Sequence, residues 1–252
     1  MLTHPTLEKL EALRLFGMLS ALNEQRQMPE CSKLSFEERL GLLVDREATV
    51  RDDRRLALRL KQARLRQSAA PEDVDFRHPR GLDRAQFMAL VSCQWIRDRN
   101  NLFLTGPTGV GKTYLACAFA QKACREGYTV LYTRTNRLLQ EIAIARADGT
   151  YNRRLAALAR QDLLVMDDWG IAPLGDEQRR DLLEILDDRY DRHSTLIAAQ
   201  LPVENWHEHI NDPTLADAIL DRLVHNAHKV DLKGESMRKR KSAGTTSSAE
   251  EN

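Results

Sequence analysis

The chain has no run of about 18 apolar residues, so no segment suits a membrane-spanning helix. Residues 1–10 carry charges and lack the apolar stretch of a signal peptide, which makes the cytoplasm the expected location. Cysteine is scarce. Cys31, Cys93, Cys117 and Cys124 are the four present, and no two are spaced as Cys-x-x-Cys. That argues against a metal knuckle or a redox pair, and reduced, unligated thiols are expected. A dominant charge is lacking too: 38 basic and 37 acidic residues leave a net charge of +1 over 252 residues. Internal repeats are absent.

The near-neutral total hides uneven placement. Residues 51–66 contain Arg51, Arg54, Arg55, Arg59, Lys61, Arg64 and Arg66 against Asp52 and Asp53. Residues 222–241 contain Arg222, Lys229, Lys233, Arg238, Lys239, Arg240 and Lys241 against Asp231 and Glu235. Each stretch either attracts a polyanion or forms a solvated face.

The first third reads as helical. Leu7, Leu10, Leu13, Leu15, Phe16, Leu19 and Leu22 give a broad apolar face, and Pro29 ends the run. Ser35 with Glu38 predicts a capping box opening a second helix, with Phe36, Leu40, Leu43, Val44 and Val50 at helical period. Ser68-Ala69-Ala70-Pro71 reads as a linker. Strands are expected at residues 101–105, 129–133, 162–167, 195–199 and 228–232, mostly separated by helical stretches. Such alternation predicts an α/β fold with a parallel sheet covered on both faces. The expected domains are a small all-helical one over residues 1–70 and an α/β one over residues 71–241. A disordered tail is expected over residues 242–252.

The strongest motif is Gly106-Pro107-Thr108-Gly109-Val110-Gly111-Lys112-Thr113, which fits G-x-x-x-x-G-K-[ST]. Glycines let the loop backbone close around phosphates, and the helix that follows adds its positive end. Lys112 is suited to the β- and γ-phosphates of ATP, and the Thr113 hydroxyl to Mg²⁺. The second motif is Leu163-Leu164-Val165-Met166-Asp167-Asp168, a buried strand ending in carboxylates. Asp167 is the expected Mg²⁺ ligand, and Asp168 the residue that orients or deprotonates the attacking water. Gln200, after the fourth strand, would face the γ-phosphate if that strand lies beside the P-loop strand; otherwise it is a loop residue. Arg222 either reaches a neighbouring subunit's γ-phosphate as an arginine finger or forms a surface salt bridge with Asp221 or Asp217.

Together these residues resemble the AAA+ superfamily, in the branch holding the helicase loader DnaC and the transposition helper IstB. Residues 75–239 carry the resemblance. GPTGVGKT, LLVMDDWG, Ala199-Gln200-Leu201-Pro202 and AILDRLVHNAHKVDLKGESMRK are its pieces, the last the most specific. The resemblance implies an AAA+ core with a five-stranded parallel sheet and an ATPase encoded beside a transposase of IstA type. It implies an oligomer with shared ATP sites that assembles on duplex DNA with little sequence preference. A replicative helicase loader is the alternative. Lys112 and Thr113 would be Walker A, Asp167 and Asp168 Walker B, Gln200 sensor I and Arg222 the finger. The helices after the second strand would contact DNA through Arg134, Arg137, Arg146, Arg153, Arg154 and Arg160.

The sequence departs from the pattern at three points. Asp168 stands where most AAA+ proteins have Glu, which implies slow hydrolysis. Tyr114 replaces a frequent His. Only about 20 residues follow the last strand, too few for the usual C-terminal lid, with Arg238 a candidate replacement for the missing sensor II arginine. A small-molecule kinase or a non-hydrolysing switch module are readings of another class; the paired acids favour activated water.

Overall fold

A computed structural model describes residues 5–237. The chain divides into two compact units, one ending at Leu58 and one starting at Arg59. Residues 238–252, including Arg238 and the expected tail, lie outside the described residues.

The first unit is helical. The apolar run expected over residues 7–22 is two helices, α1 (Pro5–Ala12) and α2 (Phe16–Gln27). Between them Arg14 adopts a φ of 57°, a left-handed conformation that a continuous helix does not contain. Helix α3 (Phe36–Ala63) opens on the expected capping box. The Ser35 N–H donates to Glu38 Oε2 at 2.8 Å, and the Glu38 N–H donates to Ser35 Oγ at 3.2 Å. Buried Glu47 on α3 accepts from the N–H groups of Gly17 at 2.7 Å and Met18 at 3.2 Å, which satisfies orphan donors at the start of α2. The Arg51 guanidinium and these two N–H groups hold the Glu47 carboxyl below the usual carboxylate range.

The second unit starts within α3. Residues 68–70 are irregular, as a linker would be, and Pro71 opens a 3-10 turn; Ala69 and Pro71 are buried, so this segment is packed. Helices α4 (Arg84–Val91) and α5 (Gln94–Arg97) precede β1 (Asn101–Thr105) and α6 (Lys112–Arg125). Then follow β2 (Val130–Arg134), α7 (Thr135–Ala147), α8 (Tyr151–Ala159), β3 (Leu163–Trp169) and α9 (Asp176–Arg189). The described elements end with β4 (Ser194–Ala199), α10 (Trp206–Ile210), α11 (Pro213–Val224) and β5 (Ala227–Asp231). The sheet is wholly parallel, in the order β2-β3-β4-β1-β5.

Alternation along the strands splits their side chains between two faces. Phe103, Leu164, Met166 and Ile197 join one core with residues of α7, α8, α9, α10 and α11. Leu102, Leu104, Val165 and Leu196, the alternating set, are also fully buried. Helix α6, with buried Leu115, Cys117, Ala118 and Phe119, packs against four of the strands. Both faces are therefore dry, and the strands read as continuous apolar runs. Arg189 is 1% exposed and donates to the carbonyls of Leu158, Gln161 and Ser194, tying α8 and β4 to α9. No helical lid follows β5 among the described residues. Instead the chain crosses back to the loop after β1: Leu232 N–H donates to Thr105 O at 2.8 Å, and Met237 N–H to Gly109 O at 3.0 Å.

The cysteines are free thiols. Burial raises those of Cys93 and Cys124 to about 11 and shifts Cys117 the same way. Cys31 is half-buried. A thiol reagent at pH 8 should therefore modify Cys31 alone in the folded protein and all four in denaturant. Labelling read by intact mass checks this; rapid reaction of a second thiol in the folded state would contradict it.

Candidate nucleotide site

Parallel pairing brings the carboxyl ends of the strands to one edge, where an α/β sheet binds ligands. Thr105 of β1 pairs with Ala199 of β4 and with Asp231 of β5, and Arg134 of β2 pairs with Asp167 of β3. The loop after Thr105 turns tightly. Gly106 has a φ of 136°, and a Cβ there would lie 2.1 Å from the Leu232 carbonyl oxygen. Gly111 caps α6 with a φ of 101°, and its Cβ would meet the Arg80 guanidinium at 2.6 Å. Both places exclude a side chain. The loop from Gly106 through Pro107, Thr108, Gly109 and Val110 to Gly111 thus leads into the amino end of α6, where N–H groups and the helix dipole favour an anion. Lys112, 9% exposed, donates its ammonium to the carbonyls of Gly106 at 2.7 Å and Pro107 at 2.8 Å.

Asp167 is the most constrained group of the site, at 2% exposure. Its Oδ2 accepts from the Thr113 hydroxyl at 2.7 Å and the Tyr132 hydroxyl at 2.5 Å, and its Oδ1 from the Asp168 N–H at 2.8 Å. Burial, with the Asp167 carboxylate alongside, raises the Tyr132 hydroxyl far above the ordinary phenol range, so it stays a donor. Asp168 has a φ of 59° and sits in a register shift between Met166 and Trp169. The irregularity explains why β3 runs to Trp169, past the expected end at residue 167. It also re-aims a carboxylate at the strand end, and aspartate is among the few side chains that adopt this backbone readily. Asp168 Oδ2 lies 3.5 Å from Arg134 Nε and 3.7 Å from Arg66 Nη1.

Gln200 follows β4, which does lie beside β1, so the condition for its facing the phosphates is met. A cleft of about 470 Å³ brings Gln200 together with Thr108, Lys112, Thr113, Asp167 and Asp168. That volume suits a nucleotide-sized ligand. The Thr113 hydroxyl and Asp167 carboxylate are oxygen donors side by side, the type Mg²⁺ prefers when phosphates complete its shell. Arg66, Arg80 and Met237 also line the cleft, and sequence reasoning missed all three as site residues. Arg66 appeared only as one member of a basic stretch. Arg80, 2% exposed, reaches the Val110 carbonyl at 3.3 Å, a placement with no local sequence signal.

Arg222 is elsewhere. Asn101, the first residue of β1, donates to the carbonyls of Arg222 at 3.3 Å and Leu223 at 2.9 Å. Arg222 therefore lies at the amino edge of the sheet, about 13 Å of strand away from its own P-loop. Its guanidinium bonds Asp187 at 2.6 Å, with Asp221 at 4.0 Å. The expected alternative partner Asp217 is 3.3 Å from His207 instead. Of the six arginines expected at DNA, four face acids of their own chain. Arg134 meets Asp168, Arg137 and Arg154 meet Glu141, and Arg146 meets Asp181. Arg153 and Arg160 are exposed, Arg160 donating to the Ala156 carbonyl at 3.0 Å.

A P-loop after the strand at position four of this sheet order, with an acid pair on β3, defines an AAA+ nucleotide-binding protein. Solved structures agree on the fold: the chain matches the crystal structure of DnaI with a TM-score of 0.57 and 22% identity, covering 66% of this chain and 91% of that one. The chain belongs to the IstB-like ATP binding protein family, whose model matches residues 8–245. It is 55% identical over 239 residues to the insertion sequence ATP-binding protein y4pL of Sinorhizobium fredii (strain NBRC 101917 / NGR234), covering 95% of this chain and 98% of that one. It is 53% identical over 203 residues to the ATP-binding protein of insertion sequence IS1162 of Pseudomonas fluorescens, covering 80% and 88%.

Proposed function

We propose that this protein is a Mg²⁺-dependent ATPase that assembles on duplex DNA and assists the transposase of an insertion sequence. The observation that carries the catalytic part is the gathering of Lys112, Thr113, Asp167, Asp168 and Gln200 in one cleft. Lys112 would exchange its two loop carbonyls for phosphate oxygens. Thr113 and Asp167 would hold Mg²⁺, which when bound neutralises phosphate charge. Asp168, 31% exposed and aimed by the register shift, would orient the attacking water, and Gln200 would contact the γ-phosphate. The transposition role rests on the relatives, which are insertion-sequence proteins by name. A helicase loader is the second reading, supported only by fold likeness to the DnaC helicase loader. A transposase gene found beside this one would favour the first. Residues 1–70 would supply assembly or partner contacts.

The nucleotide reading predicts distinct variants. Lys112→Ala should lose ATP binding, because the phosphates lose their main side-chain cation. Asp168→Asn should bind ATP nearly normally and lose turnover by about 10² or more, since the carboxylate that activates water is gone while the metal ligand stays. Equilibrium binding and phosphate release check both; normal turnover by either variant would remove the assignment.

DNA contact is assigned first to exposed Arg153 and Arg160. Arg134 and Arg137, each more than half exposed, can join at small cost, because exposed ion pairs contribute only about 0–1 kcal/mol, whereas Arg146 is held by Asp181 at 3% exposure. Binding to duplex DNA should be indifferent to sequence and steeply salt-dependent, with a log–log slope of about −0.9 per neutralised phosphate. Anisotropy titrations between low and moderate salt measure the slope, and a flat response would contradict the reading.

Arg222, too far for its own site, is proposed as a finger for a neighbour. Freeing it means giving up exposed Asp187 and the Ala218 carbonyl of its own helix at 2.9 Å. Arg222→Ala should bind ATP and hydrolyse it at least about 10³-fold more slowly. Mixed with Lys112→Ala, it should recover part of the activity, because some interfaces then pair an intact pocket with an intact finger. Co-assembly without recovery at any ratio would exclude action in trans.

A further inference from the structure

Arg66 stands out among the cleft residues because it faces both acids and comes from outside the motifs. Its Nη1 lies 3.8 Å from Asp167 Oδ2 and 3.7 Å from Asp168 Oδ2. Asp167 Oδ2 is the oxygen that also accepts from Thr113 and Tyr132. A divalent ion held by Thr113 and Asp167 would claim that same oxygen. A guanidinium and a dication repel each other, so one oxygen does not serve both at full strength. Arg134 also lies near the acids, its Nε 3.5 Å from Asp168 Oδ2, and Lys112 lines the same cleft. The Arg134 side chain is 51% exposed against 35% for Arg66, so solvent screens it more.

We propose that Arg66 is a positioning residue that acts as the resident counter-ion of Asp167 and Asp168 and competes with Mg²⁺ for them. It holds the two carboxylates oriented without a metal, and it sets the Mg²⁺ concentration at which the site loads nucleotide. Arg66 lies in the irregular stretch directly after α3, at backbone positions distinct from the P-loop and the sheet. Loading the metal therefore displaces a side chain of that stretch. The inference rests on the nucleotide-site reading above.

The test uses the full chain and a fluorescent ATP analogue, titrated with Mg²⁺ at fixed nucleotide. In Arg66→Gln the Mg²⁺ midpoint for analogue binding should fall by about threefold to tenfold, the size of a modest ion-pair effect. Arg66→Lys, which keeps the charge, should stay near the wild-type midpoint. Arg134→Gln should shift it less than Arg66→Gln. Affinity at saturating Mg²⁺ should be unchanged in all of them, which separates competition from damage to the pocket. Arg66→Met, retaining the stem without the charge, carries the same test if Arg66→Gln folds poorly. An unchanged or raised midpoint in the neutral variants overturns the inference, as does an equal shift in Arg66→Lys. If the wild-type chain binds no analogue at any Mg²⁺ concentration, the nucleotide-site reading itself fails.

Discussion

Oδ2 of Asp167 is where three elements of the ATPase unit meet: the Thr113 hydroxyl from α6, the Tyr132 hydroxyl from β2 and the carboxylate from β3. A buried carboxylate survives only when hydrogen bonds replace its water, and here Oδ1 is also satisfied by the Asp168 N–H. These bonds fix more than one side chain. They set α6 against the sheet, and they lock the peptide after Asp167, from which the left-handed turn at Asp168 begins. The geometry of both acids thus follows from satisfying one of them.

Charge in this protein is organised by pairing. Arg66 and Arg134 face the acids of the cleft, Arg146 and Arg154 face acids of α9 and α7, and Arg222 faces Asp187. Part of the near-zero net charge of the sequence is therefore realised as local neutralisation. Positive side chains are held close to the places where phosphates are proposed to arrive. Exchange of a carboxylate for a phosphate oxygen costs little when the pair is exposed.

Legibility followed the range of the interactions. The P-loop, the strand carrying Asp167 and Asp168 and the capping box at Ser35 are local patterns, and each stands where the pattern implied. The continuous apolar run over residues 7–22 misled, because the left-handed break at Arg14 leaves no mark on apolar periodicity. The end of β3 was missed for a similar reason: a register shift is a property of two strands, and the partner β4 lies about thirty residues on. Gln200 was conditional in the sequence because its position depended on which strand neighbours β1.

The sequence alone determined the phosphate-binding loop, the carboxylate strand, the parallel α/β class and the family, since each is written in residue type and spacing within one segment. Only the tertiary structure decided the company those residues keep. It put Arg66 against both acids, set Arg134 beside Asp168, and set Arg222 at the edge of the sheet opposite its own P-loop. The physical reason is that long, flexible arginine side chains are committed by whichever carboxylate the folded backbone brings within about 4 Å, and no local pattern encodes that distance.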